Sequence, residues 1–266
     1  MKKLTLKWKA VSSSVVASAK FVSIATPTAA APVTIEPHVK RIAIVIILGA
    51  IMSVLDTTIV NVALQSLSTD LASPLDQIQW VVTGYLLAIA AVLPVTGWMA
   101  NRFGARRVYL VSLVLFTLGS LLCATAQSAG MLVLFRVLQG LGGGMLMPVG
   151  MAFIYRLAPP DKRGQVMGAF GVPILLGPAL GPVLSGYLLE YATWPMICLI
   201  NVPIGVAAVV ACQRFLPDLG AQGRAGALDL PGFVLGPLAF ASLSYGISES
   251  TTWGWTGTPT IAGITI

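Results

Sequence analysis

Two charges of opposite sign stand inside otherwise apolar runs: Asp56 in "VLDTTIVNVAL" (residues 54–64) and Arg136 in "RVLQGLGGG" (residues 136–144). Each costs a few kcal/mol to place in hydrocarbon, so neither is expected to face lipid, and together they imply a polar interior. A buried carboxylate near a guanidinium is balanced between loss of solvation, which favours its protonated form, and the neighbouring cation, which favours its charged form. Coupling or substrate handling is the expected role. A static ion pair that fixes helix register is the alternative. Other chemistry is not signalled: the chain has no HExxH, no GxSxG, no GxxxxGK[ST] and no His, Cys and carboxylate cluster with ligand spacing. No enzyme activity, cofactor or metal site is therefore expected. Cys123, Cys198 and Cys212 lie within apolar runs and form no disulfide framework, and His38 stands alone beside Pro37. The glycines of "QGLGGGMLMP" (residues 139–148) read as a small-residue face, with Gly140 and Gly144 spaced as GxxxG, rather than as a nucleotide loop.

The elements that must hold these two charges are membrane helices. The chain is 56% hydrophobic and 9% charged, with a mean hydropathy of +0.88, whereas a soluble domain is about a quarter charged. Apolar windows long enough to cross a ~30 Å hydrocarbon core fall at residues 42–64, 78–100, 108–125, 131–154, 166–189, 195–215 and 230–248. They lack period-two alternation and are too long for barrel strands, so the expected fold is all-α. Asp56 is then ~12 Å from the far end of the first span and Arg136 ~8 Å from the near end of the fourth, similar depths on two different helices.

The cations test this reading independently. Lys40 and Arg41 precede the first span; Arg102, Arg106 and Arg107 separate the second and third; Arg156, Lys162 and Arg163 separate the fourth and fifth; Arg214 and Arg224 follow the sixth. The alternate connections contain no Lys or Arg, and carry Asp70, Asp76 and Glu190. The positive-inside rule then makes the amino terminus cytoplasmic, placing Gln127 and Ser128 outside and Lys162 inside. The formal net charge of +7 is accordingly a topology signal, not a nucleic-acid one. Residues 1–40 read as a disordered cytoplasmic tail; a cleaved signal, the alternative, would put Lys40 and Arg41 on the wrong side.

Five stretches in order and spacing carry a resemblance: "LDTTIVNVAL" (55–64), "GWMANRFGARRVYL" (97–110), "RVLQGLGGG" (136–144), "GPALGPVLSGYL" (177–188) and "WPMICLINVPIG" (194–205). The sequence resembles the amino-terminal half of the fourteen-helix drug:proton antiporters of the major facilitator superfamily, and "LDLPGFVLG" (228–236) is similar to the entry to their central helices. The resemblance implies an all-α membrane protein: a six-helix major-facilitator half-bundle (41–216) plus one further transmembrane helix, within a segment of linker and central helices at 217–266. It implies a proton-coupled multidrug efflux antiporter of the plasma membrane, with small amphiphilic compounds, protons and the lipid bilayer as partners. Asp56 would be the acid of the first-span motif and Arg136 the proton-coupling arginine. Gly97, Asn101, Arg102, Gly104, Arg106 and Arg107 would form the cytoplasmic loop motif that latches the two halves, and Gly177, Pro178, Gly181, Pro182 and Gly186 the fifth-span antiporter motif.

Three positions depart from the family pattern: Asn101 stands where an acid is usual, Gln65 where a proline is, and Ser185 where a glycine is. Asn101 can cap a helix end but attracts no arginine as a charge. Alternating access needs two six-helix halves about a midplane site, so the chain is expected to be a fragment that is inactive alone and lacks its carboxy-terminal half. A non-transporting membrane subunit or sensor, and half of an uptake symporter, are the alternative readings.

Overall fold

The computed structural model describes residues 37–157 and 163–218, with a few single positions outside those stretches. The helices are α1 (Pro37–Asp70), α2 (Leu75–Phe103), α3 (Ala105–Ala124), α4 (Ala129–Leu157), α5 (Arg163–Tyr191), α6 (Pro195–Leu199) and α7 (Asn201–Phe215). Among the described residues there is no strand. Among the described residues, five helical stretches are long and apolar enough to cross a membrane: the four from α1 to α4, and residues 195–215, which unite α6 and α7. The 29 residues of α5 reach ~44 Å, also sufficient to span. The expected seventh helix and the tail to residue 36 lie outside the described residues, except for single positions in the former.

The first helix is longer than its apolar window. It starts at Pro37 and runs 34 residues, so Lys40 and Arg41 sit in its opening turns rather than before it. Proline suits a first helical position, and Lys and Arg are good helix formers, so nothing stops the helix at the hydrocarbon boundary. Its other end closes by backbone hydrogen bonds from Ser73 to Ser68 and from Ala72 to Thr69, with Ala72 at φ 46°. This is a Schellman closure with alanine where glycine is usual. The α2–α3 connection is the single residue Gly104, at φ 88°, a conformation that side-chain-bearing residues avoid. A one-residue turn at Ile200 separates α6 from α7, where Pro203 cannot donate a backbone hydrogen bond into the preceding turn.

Packing centres on α4, which has its most extensive contacts with α2 and α3 and also touches α1; α5 packs on α1, and α7 on α1 and α3. The glycine run of α4 explains the close approach. A Cβ at Gly140 would lie 2.6 Å from the Tyr85 carbonyl oxygen of α2, and one at Gly142 would lie 2.7 Å from the backbone of α3. The small-residue face expected from the sequence is therefore two-sided.

The basic residues gather at one end. Arg106 donates to the Gln213 carbonyl at 2.6 Å, Arg41 lies over the Phe215 ring at 5.8 Å, and Arg156 reaches Asn101 across α4 and α2. Asp70, Asp76 and Glu190 lie in the terminal turns of α1, α2 and α5 at the opposite, acidic end.

Candidate functional site

Asp56 of α1 and Arg136 of α4 meet. Arg136 Nη1 donates to Asp56 Oδ2 at 2.5 Å, with side-chain exposures of 1% and 0%. Neither faces the surroundings of the bundle, in keeping with the cost of an unpaired charge in an apolar medium.

Further side chains surround the carboxylate and the guanidinium. Gln139 Nε2 and Asn201 Nδ2 each donate to Asp56 Oδ1 at 2.9 Å, so the carboxylate accepts three hydrogen bonds. Gln139 turns its carbonyl to Arg136 Nη1 at 2.7 Å and thus reads both members of the pair. Its amide also donates to Ser120 at 2.5 Å, and Cys123 Sγ donates to its Oε1 at 3.6 Å. Arg136 Nε reaches the Val81 carbonyl at 3.4 Å, and the guanidinium carbon lies 4.0 Å from the centre of the Tyr85 ring, whose hydroxyl meets Ser53 at 3.2 Å. Two buried atoms of this cluster have no partner among the described residues: Arg136 Nη2 and Asn201 Oδ1.

Local sequence explains the assembly. Arg136 and Gln139 are three residues apart and share one face of α4. A Cβ on Gly119 would lie 2.6 Å from Gln139 Cβ, so that glycine admits Gln139 against α3. Asn201 opens α7 at the interruption after Ile200. Sequence reasoning found the ion pair but missed Gln139, Asn201, Ser120, Cys123 and Tyr85. A signal existed: Gln139 and Asn201 are uncharged amides inside apolar runs, where an unpaired polar group is costly.

The fifth-span motif divides into two faces. A Cβ at Gly177 would meet Val54 Cγ1 at 2.6 Å, and one at Gly181 would meet Thr58 Cβ at 2.6 Å; these positions bracket Asp56 on α1. Ser185 continues this face and donates to the Ile59 carbonyl at 3.1 Å, so the departure from glycine is accommodated by a hydrogen bond. Pro178, Pro182 and Gly186 are exposed, and nothing lies within 4 Å of a Cβ at Gly186.

The expected loop motif is helical. Gly97, Asn101 and Arg102 belong to the last turns of α2, Gly104 is the connection, and Arg106 and Arg107 lie in the first turn of α3. Asn101 caps no helix; it accepts from Arg156 Nη2 at 3.5 Å, while Arg156 Nη1 is buried without a partner. A Cβ at Gly97 would meet nothing within 4 Å among the described residues. No group of three or more potential metal ligands occurs among the described residues.

A six-helix bundle of membrane-length helices with a buried acid and arginine on its first and fourth spans defines a class of membrane transport protein. Residues 46–230 match the Major Facilitator Superfamily, and the chain belongs to it. It is 41% identical over 224 residues to a multidrug resistance protein B homolog of Mycobacterium tuberculosis, covering 84% of this chain and 41% of that protein. It is 37% identical over 222 residues to the putative multidrug resistance protein MdtD of Serratia proteamaculans, covering 84% and 46%. The chain thus spans less than half the length of these curated relatives. Solved structures agree in fold: the proton:xylose symporter XylE at TM-score 0.62 and 17% identity, over 82% of this chain and 55% of that one, and the human organic anion transporter MFSD10 at 0.59 and 20%, over 81% and 57%.

Proposed function

We propose that this chain is the amino-terminal half of a proton-coupled multidrug efflux antiporter of the plasma membrane, with its amino terminus cytoplasmic, and that it exports small amphiphilic compounds only with a second half. The buried Asp56–Arg136 pair, held by Gln139 and Asn201, carries this reading. A carboxylate that keeps its guanidinium stays charged; one that loses it in a dry interior takes up a proton. Displacing α1 against α4 would therefore exchange the ion pair for a protonated Asp56. Proton release and substrate binding then compete if they favour opposite arrangements. The α5 glycines 177 and 181 sit against the turns of α1 on either side of Asp56, so bending at that motif would act directly on the pair. At the basic end, the bonds from Arg106 of α3 to α7 and from Arg156 of α4 to α2 would oppose separation of the helices and serve as the latch.

The names of the relatives support the substrate class, and the cation distribution supports the orientation. Alternating access requires two repeats about one site, and these residues supply one. In proteoliposomes with an imposed proton gradient, the full-length transporter should show saturable drug-dependent proton flux, and Asp56→Asn should abolish it while retaining a monodisperse folded protein. The 266-residue chain alone should show none. Undiminished flux in Asp56→Asn would remove the coupling role, and saturable flux from the chain alone would mean that two copies assemble.

A further inference from the structure

Asp56 is surrounded by donors. Arg136 Nη1 donates to its Oδ2, and Gln139 Nε2 and Asn201 Nδ2 both donate to its Oδ1. That set suits a carboxylate, which only accepts. A protonated Asp56 carries an O–H, and a buried donor without an acceptor is costly.

The two amides differ in what they can offer that O–H. Gln139 is committed at both ends: its nitrogen also donates to Ser120, and its carbonyl accepts from Arg136 and Cys123. Turning it over would set nitrogen against the guanidinium and oxygen against the carboxylate. Asn201 is committed at one end. It is fully buried, its Nδ2 donates to Asp56, and its Oδ1 has no partner among the described residues. A half-turn about the Cβ–Cγ bond would bring Oδ1 to where Nδ2 stands, 2.9 Å from Asp56 Oδ1, which is within reach of an O–H···O bond. Either setting leaves one amide atom bonded to Asp56 and the other free, so the state of the acid decides between them.

Placement in the bundle separates the two amides further. Arg136 and Gln139 both belong to α4, so displacing α1 against α4 takes both from Asp56 together. Asn201 opens α7, whose main packing is on α1 and α3, and that displacement does not by itself remove it. The titratable neighbours of Asp56 are Arg136 from α4, Tyr85 from α2, and Cys123 and Cys198 from α3 and α6. Arg136 has no acceptor, the Tyr85 hydroxyl is bonded to Ser53, Cys123 is bonded to Gln139, and a thiol is a weak acceptor. From α5 this part of α1 meets Gly177, Gly181 and Ser185, none of them titratable. On α7 itself Cys212 and Arg214 lie ~16 Å or more along the helix.

We infer that Asn201 is a positioning residue for the proton: its amide donates to the charged Asp56 and, turned over, accepts from the protonated one, so the acid keeps a partner when it leaves Arg136. The inference rests on the proton-coupling reading. A proton from water forms the O–H on Asp56 Oδ1, the bond from Asn201 Nδ2 breaks, and a bond from that O–H to Asn201 Oδ1 takes its place. The amide turns but neither gains nor loses a proton.

A pH titration of the purified full-length transporter in liposomes, followed by infrared difference spectroscopy, tests this. The carboxylic-acid C=O band of Asp56 is identified by its loss in Asp56→Asn. In Asn201→Leu the carboxylate keeps Arg136 and Gln139 whereas the acid loses its acceptor, so the pH at which half of the band is present should fall by about one unit, about tenfold in proton affinity. The band should also move to higher frequency, as for an acid with fewer hydrogen bonds. Asn201→Ser, whose hydroxyl can give or take a hydrogen bond, should lie nearer the parent in both respects. Should Asn201→Leu not yield a monodisperse protein, Asn201→Ala carries the same test. A rise in that pH in Asn201→Leu would overturn the inference and make Asn201 a fixed donor to the carboxylate, with the coupling reading intact. An unchanged pH and band would also overturn it. If no band at any pH is lost in Asp56→Asn, the coupling reading falls, and the inference with it.

Discussion

Two arginines of α4 lie 20 residues apart in sequence, ~30 Å along the helix, and solve the same problem differently. Arg136 meets a carboxylate at 2.5 Å, and that carboxylate is held by two more side chains. Arg156 meets only the amide oxygen of Asn101, at 3.5 Å. Each leaves one buried terminal nitrogen without a partner among the described residues. The difference is the charge opposite: a carboxylate draws Arg136 into a short contact and gathers amide donors, whereas a neutral amide holds Arg156 weakly. The teaching is that one helix carries a strongly bonded polar centre and a lightly bonded end, an arrangement suited to a fixed switch and a releasable latch.

Breaking the strong pair should have the largest effect. Arg136→Gln or Asp56→Asn alone leaves an uncompensated buried charge and should cost about 3–5 kcal/mol, while the double variant should recover much of that loss. Stability followed by detergent denaturation of the purified protein gives the coupling energy of the cycle. The corresponding Asn101→Ala and Arg156→Ala cycle should give a coupling of about 0–1 kcal/mol. Equal couplings would erase the contrast.

Next in size are the glycines that let neighbours reach the polar centre. Gly119→Ala forces a Cβ into the backbone of Gln139, and Gly181→Ala forces one into Thr58 beside Asp56; each should cost about 1–3 kcal/mol by overpacking. Gly186→Ala, with open space around it in this half, should change this half's stability by less than about 0.5 kcal/mol. The same denaturation curves compare all three, and a large loss at Gly186 would show that the two faces of the motif are wrongly divided.

The smallest effect sharpens the comparison by making the weak site resemble the strong one. Asn101→Asp places a carboxylate opposite Arg156, and should stabilise the α2–α4 junction by about 1 kcal/mol. High salt should diminish that gain because the site is only half-buried. In the full-length transporter the same change should slow turnover if the junction is the latch. Faster turnover at raised stability would separate the two roles.

Much of this was legible beforehand. Seven spans were expected from length and hydropathy, because a ~30 Å apolar slab imposes a minimum helix; helices occupy the first six, and the seventh lies outside the described residues. The ion pair followed from two costly charges at matching depth. Gln139 and Asn201 were not placed, because a neutral amide gives no depth or partner signal until the facing helices are known. Gln139 sat among glycines that drew attention to packing, and Asn201 depended on a helix interruption that puts it opposite Asp56. The start of α1 was missed for a simpler reason: a helix does not end where the hydrophobic window ends. Asn101 was expected to cap a helix end and caps none; its contact with Arg156 required the α2–α4 packing.

The account stands most directly on whether Asp56 is the group that exchanges the proton. Substrate binding to the purified full-length transporter, measured in weakly buffered detergent solution with a pH-indicating dye, should release about one proton per substrate bound. In Asp56→Asn, substrate binding should release none. Release of the same amount by an Asp56→Asn protein that still binds substrate would contradict the account and leave the Asp56–Arg136 pair as a structural fixture of the bundle.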